Sequence, residues 1–80
     1  MISTDPVLEL KRQLGAELAS GVAGWNGDDL GAALETDRSR IADLRRGNLR
    51  RFSLETLIRF ATRLGYRVEL QLTKRRFDQR

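Results

Sequence analysis

Apolar residues recur along this chain in two different rhythms. From Val7 to Trp25 the spacing is three and four. Val7, Leu10, Leu14, Leu18, Val22 and Trp25 share one stripe, with Glu9, Lys11, Arg12, Gln13 and Glu17 mostly off it. That spacing predicts an amphipathic helix over about residues 6–21, with Asp5 as N-cap and Pro6 at the first helical position. Trp25 reads as a core anchor at its end, and Gly21 lies on the stripe where a missing side chain lets a neighbour approach closely. A second, short helix is predicted over about residues 27–34. Asn26 is its N-cap, Asp28 and Asp29 sit where the helix dipole favours anions, and Leu30, Ala33 and Leu34 face inward. A third helix, about 38–46, is capped by Thr36 or Asp37 and stopped by Gly47, with Ile41 and Leu44 turned to the core. A fourth, about 54–64, is capped by Ser53, with Phe52 before it as a hydrophobic staple. Leu54, Leu57, Ile58, Ala61 and Leu64 form its expected buried stripe.

The period then changes to two. Tyr66, Val68, Leu70 and Leu72 alternate with Arg67, Glu69, Gln71 and Thr73, which predicts a half-buried strand over about 66–73. Nothing else in the chain reads as a strand, so both its edges lack a partner. Antiparallel pairing with the same strand of a second chain resolves this as a two-fold dimer. The alternatives are pairing with a short N-terminal segment or packing as an isolated strand. Residues 74–80 read as a frayed basic tail. The expected architecture is thus one mainly α domain over residues 1–80, four helices and a C-terminal β-strand, with no repeat or linker.

Composition narrows the chemistry. The chain is 40% hydrophobic and 32% charged, a globular balance with no apolar run long enough to span a membrane. "MISTDPVLELKRQ" has no apolar stretch after a basic start, so no secretory signal is expected. Cysteine is absent, which removes disulfides and thiolate metal sites and fits a reducing cytoplasm. Histidine is absent too, and with it the commonest general base and metal ligand. No catalytic residues, metal or cofactor are expected, since Asp28 and Asp29 have no third convergent carboxylate.

The distribution of charge changes the picture most. Residues 38–51 hold six arginines against Asp43 alone, a net +5 in fourteen residues, while the other 66 residues carry −1. Such concentration is the footprint of a polyanionic partner, most often nucleic acid, and arginine favours forked contact with phosphate or guanine. A short helix, a three-residue turn and a second helix with a basic face make a helix-turn-helix, whose second helix fits the major groove. Arg38, Ser39 and Asp43 are candidates for base edges, with Asp43 alternatively orienting a neighbouring arginine. Arg40 stands at the boundary between base and phosphate. Asn26, Arg45, Arg46, Asn48, Arg50 and Arg51, with the backbone amides opening the second helix, are candidates for phosphates, which set register and affinity without reading sequence. RNA is the weaker reading, because aromatic platforms for stacking single-stranded bases are missing.

The stretch "NGDDLGAALETDRSRIADLRRGNLRRFSLETLIRFATRLGYRVEL" resembles the lambda-repressor-like (XRE) helix-turn-helix regulators, closest to the small branch of HigA-type antitoxins. Leu34, Arg40, Ile41, Leu44 and Gly47 match its pattern, as do "RFSLETL" and "LGYRVEL", over about 50 residues in order and spacing. The chain departs from it at Asn26-Gly27, where Thr-Gln is usual, at Glu35 in place of glycine, at Arg38 in place of glutamine and at Ala42 in place of serine. The resemblance implies a transcriptional repressor or autoregulator binding a palindromic DNA operator as a homodimer in the cytoplasm. It also implies a RelE/HigB-like toxin partner, with the first helix or the tail as docking surface. A protein-interaction module that chiefly neutralises such a toxin, and a stand-alone phage or operon autorepressor, are the alternatives.

Overall fold

A computed structural model describes residues 5–74. Four helices follow one another: α1 (Pro6–Gly21), α2 (Gly27–Leu34), α3 (Arg38–Arg46) and α4 (Leu54–Arg63). Each starts where a short polar side chain can accept from its free amides. The Asp5 carboxylate accepts from Val7 N at 3.0 Å and Asp37 from Arg40 N at 2.8 Å. The Ser53 hydroxyl accepts from Thr56 N at 3.1 Å. Gly47 ends α3 at φ 78°, the left-handed conformation that a residue without Cβ adopts at least cost. Glu35 does the same for α2 at φ 55° without being glycine, and its carboxylate meets Arg63 of α4 at 2.8 Å.

α1 packs against α3 and α4, and α2 against α3 and α4. Between them lies one core: Leu18 and Val22 of α1, Leu30 and Leu34 of α2, Ile41 and Leu44 of α3, and Leu57, Phe60 and Ala61 of α4. Leu49 and Phe52 enter it from the loop between α3 and α4. The Phe52 and Phe60 rings meet edge to face, with centroids 5.8 Å apart. Two glycines allow close approach. A Cβ at Gly15 would press on the Leu49 side chain, and one at Gly21 would collide with the Tyr66 hydroxyl.

Several expectations change. Trp25 is 40% exposed rather than a core anchor, because α1 has ended and a turn lifts the ring off its stripe. Val7 and Leu10 are exposed, and Leu54 and Ile58 only half-buried. Leu10 meets Leu54 and Ile58 across one open groove, bordered by Val68 and Leu70, and Val7 meets them across a second. The buried face of α4 is instead turned toward Phe60, which joins Leu57 and Ala61.

The strand expected over 66–73 does not form, and no strand occurs among the described residues. Tyr66 N donates to Ala61 O at 2.9 Å and its ring packs on the core, but residues 67–74 make no backbone hydrogen bond among the described residues. The reason is the one the alternation raises: a ladder needs a second strand, and the described residues supply none. The basic tail beyond Lys74 lies outside the described residues.

Candidate nucleic-acid interface

Ile41 and Leu44, both buried, fasten α3 to the core and fix which of its faces meets solvent. That face carries Arg38 and Ser39 in the first turn and Arg45 and Arg46 in the last, all exposed. Asn48, Arg50 and Arg51, also exposed, continue the basic surface along the loop after Gly47.

Few of these cations hang free. Arg38, with its side chain 85% exposed, donates to Asp28 of α2 at 2.8 Å. Arg45 donates to the Trp25 carbonyl at 2.7 Å, tying α3 to the turn before α2. Arg38, Arg45, Ala42 and Ile41 thereby line an open cleft with Asn26, Gly27 and Asp28. Arg40 is half-buried, its guanidinium carbon 5.5 Å from the centre of the Phe52 ring, a cation–π contact that holds it near the loop.

Asp43 corrects the sequence reading. It is 5% exposed, and so is shut away from any base edge. One carboxylate oxygen accepts from Arg46 at 2.9 Å and from the Asn48 amide at 3.4 Å, and the other lies 3.8 Å from Arg51 Nε. The geometry favours the alternative role, in which it orients neighbouring arginines.

The amides opening α2 are corrected as well. Asn26 Oδ1 already accepts from Asp28 N at 2.6 Å and Asp29 N at 3.3 Å. The carboxylates of Asp28 and Asp29 also stand where an incoming phosphate would want positive potential. The amino group of Asn26 is not used in that cap and stays available as a donor.

Sequence reasoning overlooked three partners: Asp28 for Arg38, the Trp25 carbonyl for Arg45, and Phe52 for Arg40. Only Asp28 had a legible signal, as an acid ten residues before Arg38 across a short turn. Tyr66, Val68, Leu70 and Leu72 lie apart from this surface. Tyr66 docks beside Gly21, whereas Leu70 and Leu72 are 76% and 85% exposed. No helix of the described residues is long and apolar enough to cross a membrane.

No curated protein matches the chain. A family described as a helix-turn-helix domain matches residues 5–73, from the cap of α1 through α2, the turn and α3 to the extended segment after α4. Such a domain suggests a DNA-binding regulator, in keeping with the exposed basic face of α3. With the match running through all four helices, the chain belongs to the helix-turn-helix domain family.

Proposed function

We propose that this protein is a sequence-specific DNA-binding transcriptional repressor or autoregulator, not an enzyme, acting as a two-fold dimer on a palindromic operator. The observation that carries the reading is the exposed face of α3. Arg38 and Ser39 project from its first turn, the part of a recognition helix that reaches base edges, while Arg45, Arg46, Asn48, Arg50 and Arg51 follow at its other end and in the loop. Arg38 is the bidentate guanine reader, with Ser39 and Arg40 beside it, and the later arginines with Asn26 and Asn48 grip phosphates. To reach a guanine, Arg38 exchanges its exposed contact with Asp28 for the base, a small cost for a pair so solvated.

Dimerisation is supported by the segment after Tyr66. Its backbone, without a ladder partner among the described residues, and its exposed Val68, Leu70 and Leu72 suit antiparallel pairing with a second copy. The two α3 helices of such a dimer would enter successive major grooves, about 34 Å apart.

Binding of the duplex upstream of the chain's own gene, profiled against every single-base change, tests the reading. Arg38→Ala should relax preference at one base position, costing about 1–3 kcal/mol there. Uniform loss across all sequences would remove its base-reading role and leave a phosphate contact.

A second reading, an antitoxin that holds a RelE/HigB-like toxin, draws on the resemblance and on one observation. The groove of about 420 Å³ between α1 and α4, walled by Leu10, Leu14, Leu54, Ile58, Val68 and Leu70, suits an apolar protein segment. Co-expression with a toxin-like frame encoded next door should yield a complex that Ile58→Asp disrupts. Two proteins that migrate separately would leave the free-standing autoregulator.

A further inference from the structure

Asp43 is the one buried charged residue among the described residues, and its environment is unusual for a helix so basic. Removing a carboxylate from water is costly unless donors replace the lost hydration, and an apolar residue at the same place often stabilises a fold as well or better. Burial alone therefore gives no reason for an acid here. Its partners suggest one. Arg46 donates to Oδ1 at 2.9 Å, and Asn48 approaches the same oxygen at 3.4 Å. Arg51 Nε faces Oδ2 at 3.8 Å, a charge contact rather than a hydrogen bond. The main chain closes the same unit, Asn48 N donating to Asp43 O at 2.9 Å. Arg46 lies in the last turn of α3 and Arg51 in the loop, yet one carboxylate serves both.

We propose that Asp43 is a positioning residue that holds Arg46 and Arg51 as a preformed two-arginine clamp for the phosphodiester backbone, an assignment that rests on the DNA-binding reading. Each guanidinium carries five N–H donors in a rigid fork, and one side of each fork is turned to Asp43. The Arg46 and Arg51 side chains remain 67% and 62% exposed, so their other donors are open to a phosphate oxygen. An anchored fork loses less freedom on binding than a free one, so the clamp raises affinity without adding positive charge. Asp43 itself touches no nucleic acid.

The test turns on a conflict of signs. Asp43→Asn makes each chain one unit more positive, from a formal +4. If diffuse attraction governs, this variant binds the upstream duplex more tightly. If Asp43 positions the clamp, it binds about tenfold more weakly at the same salt. Arg46→Lys and Arg51→Lys preserve charge but lose the fork. Each should bind several-fold more weakly in the native background and change little when combined with Asp43→Asn, as coupled groups do. A readout without DNA accompanies these: in the free protein, the guanidinium N–H resonances of Arg46 and Arg51 should be ordered, and become mobile in Asp43→Asn while helical circular dichroism is retained. Equal or tighter binding by a folded Asp43→Asn overturns the proposal. If that variant does not fold, unchanged binding by both lysine variants overturns it instead. Failure of the native chain to bind any duplex sinks the DNA reading alone, and the order of the guanidiniums in the free protein then decides whether Asp43 holds the pair.

Discussion

The face built by α3 and the loop after it contrasts with the face where α1 meets α4. On the first, the exposed side chains are long and charged, and most are tied down: Arg38 to Asp28, Arg40 over Phe52, Arg45 to the Trp25 carbonyl, Arg46 and Arg51 to Asp43. On the second they are apolar, and no described residue covers them: Leu10, Val68 and Leu70 border a groove between α1 and α4, and Val7 and Leu72 are exposed as well. Both faces depart from an ordinary surface, in opposite senses. An excess of anchored charge is a nearly finished surface, in which Arg38 alone has to exchange a carboxylate, that of Asp28, for its proposed target. An excess of unanchored apolar area is unfinished until another surface covers it. The difference teaches where anchoring contacts are invested: in α3 and its loop, proposed to meet DNA, not in the segment proposed to join two copies.

The contrast can be broken most severely through Phe52. It is buried at the centre of the core and also carries Arg40. Phe52→Ala should cost about 3–5 kcal/mol of stability, enough to abolish a cooperative thermal transition in a domain this small. Asp37→Ala comes next. It removes the acceptor for Arg40 N at the start of α3, and should cost about 1 kcal/mol, seen as a lower midpoint in urea. Glu35→Gly should act the other way. Relief of the left-handed backbone outweighs loss of the exposed pair with Arg63, giving about 0.5 kcal/mol of added stability, readable as a rise in Tm. The smallest effect on folding belongs to the uncovered face. Leu72→Asp should change the stability of the monomer by less than about 0.5 kcal/mol while abolishing self-association in sedimentation equilibrium. A stability loss comparable to that of Phe52→Ala would mean that the segment is already packed, and the contrast between the faces would fail.

Much of this was legible in the order of residue types. The four helices follow from stripes of apolar residues at helical spacing and from Asp5, Asn26 and Ser53 as caps, because helix starts are decided locally by which side chain can accept from free amides. Gly21 was legible as a place of close approach, and Tyr66 fills it. The fate of Trp25 was not, since a stripe extrapolated past the end of a helix has no geometric force. Phe60 could have been read from its spacing with Leu57, Ala61 and Leu64. Asp43 misled for a different reason. Helical phase places it near the solvent side, and only the loop folding back with Asn48 and Arg51 buries it. The strand misled because alternation records what a segment can pair with, not whether a partner is present in the same chain.

The central claim, that the arginine-rich face of α3 and its loop is a DNA-binding surface, is tested most directly by the salt dependence of binding to the upstream duplex. If five or six phosphates are neutralised per chain, log K against log salt falls with a slope of roughly −5 per protomer, and an unrelated duplex binds far more weakly at physiological salt. A slope near zero, or no binding to any duplex at low salt, would contradict it.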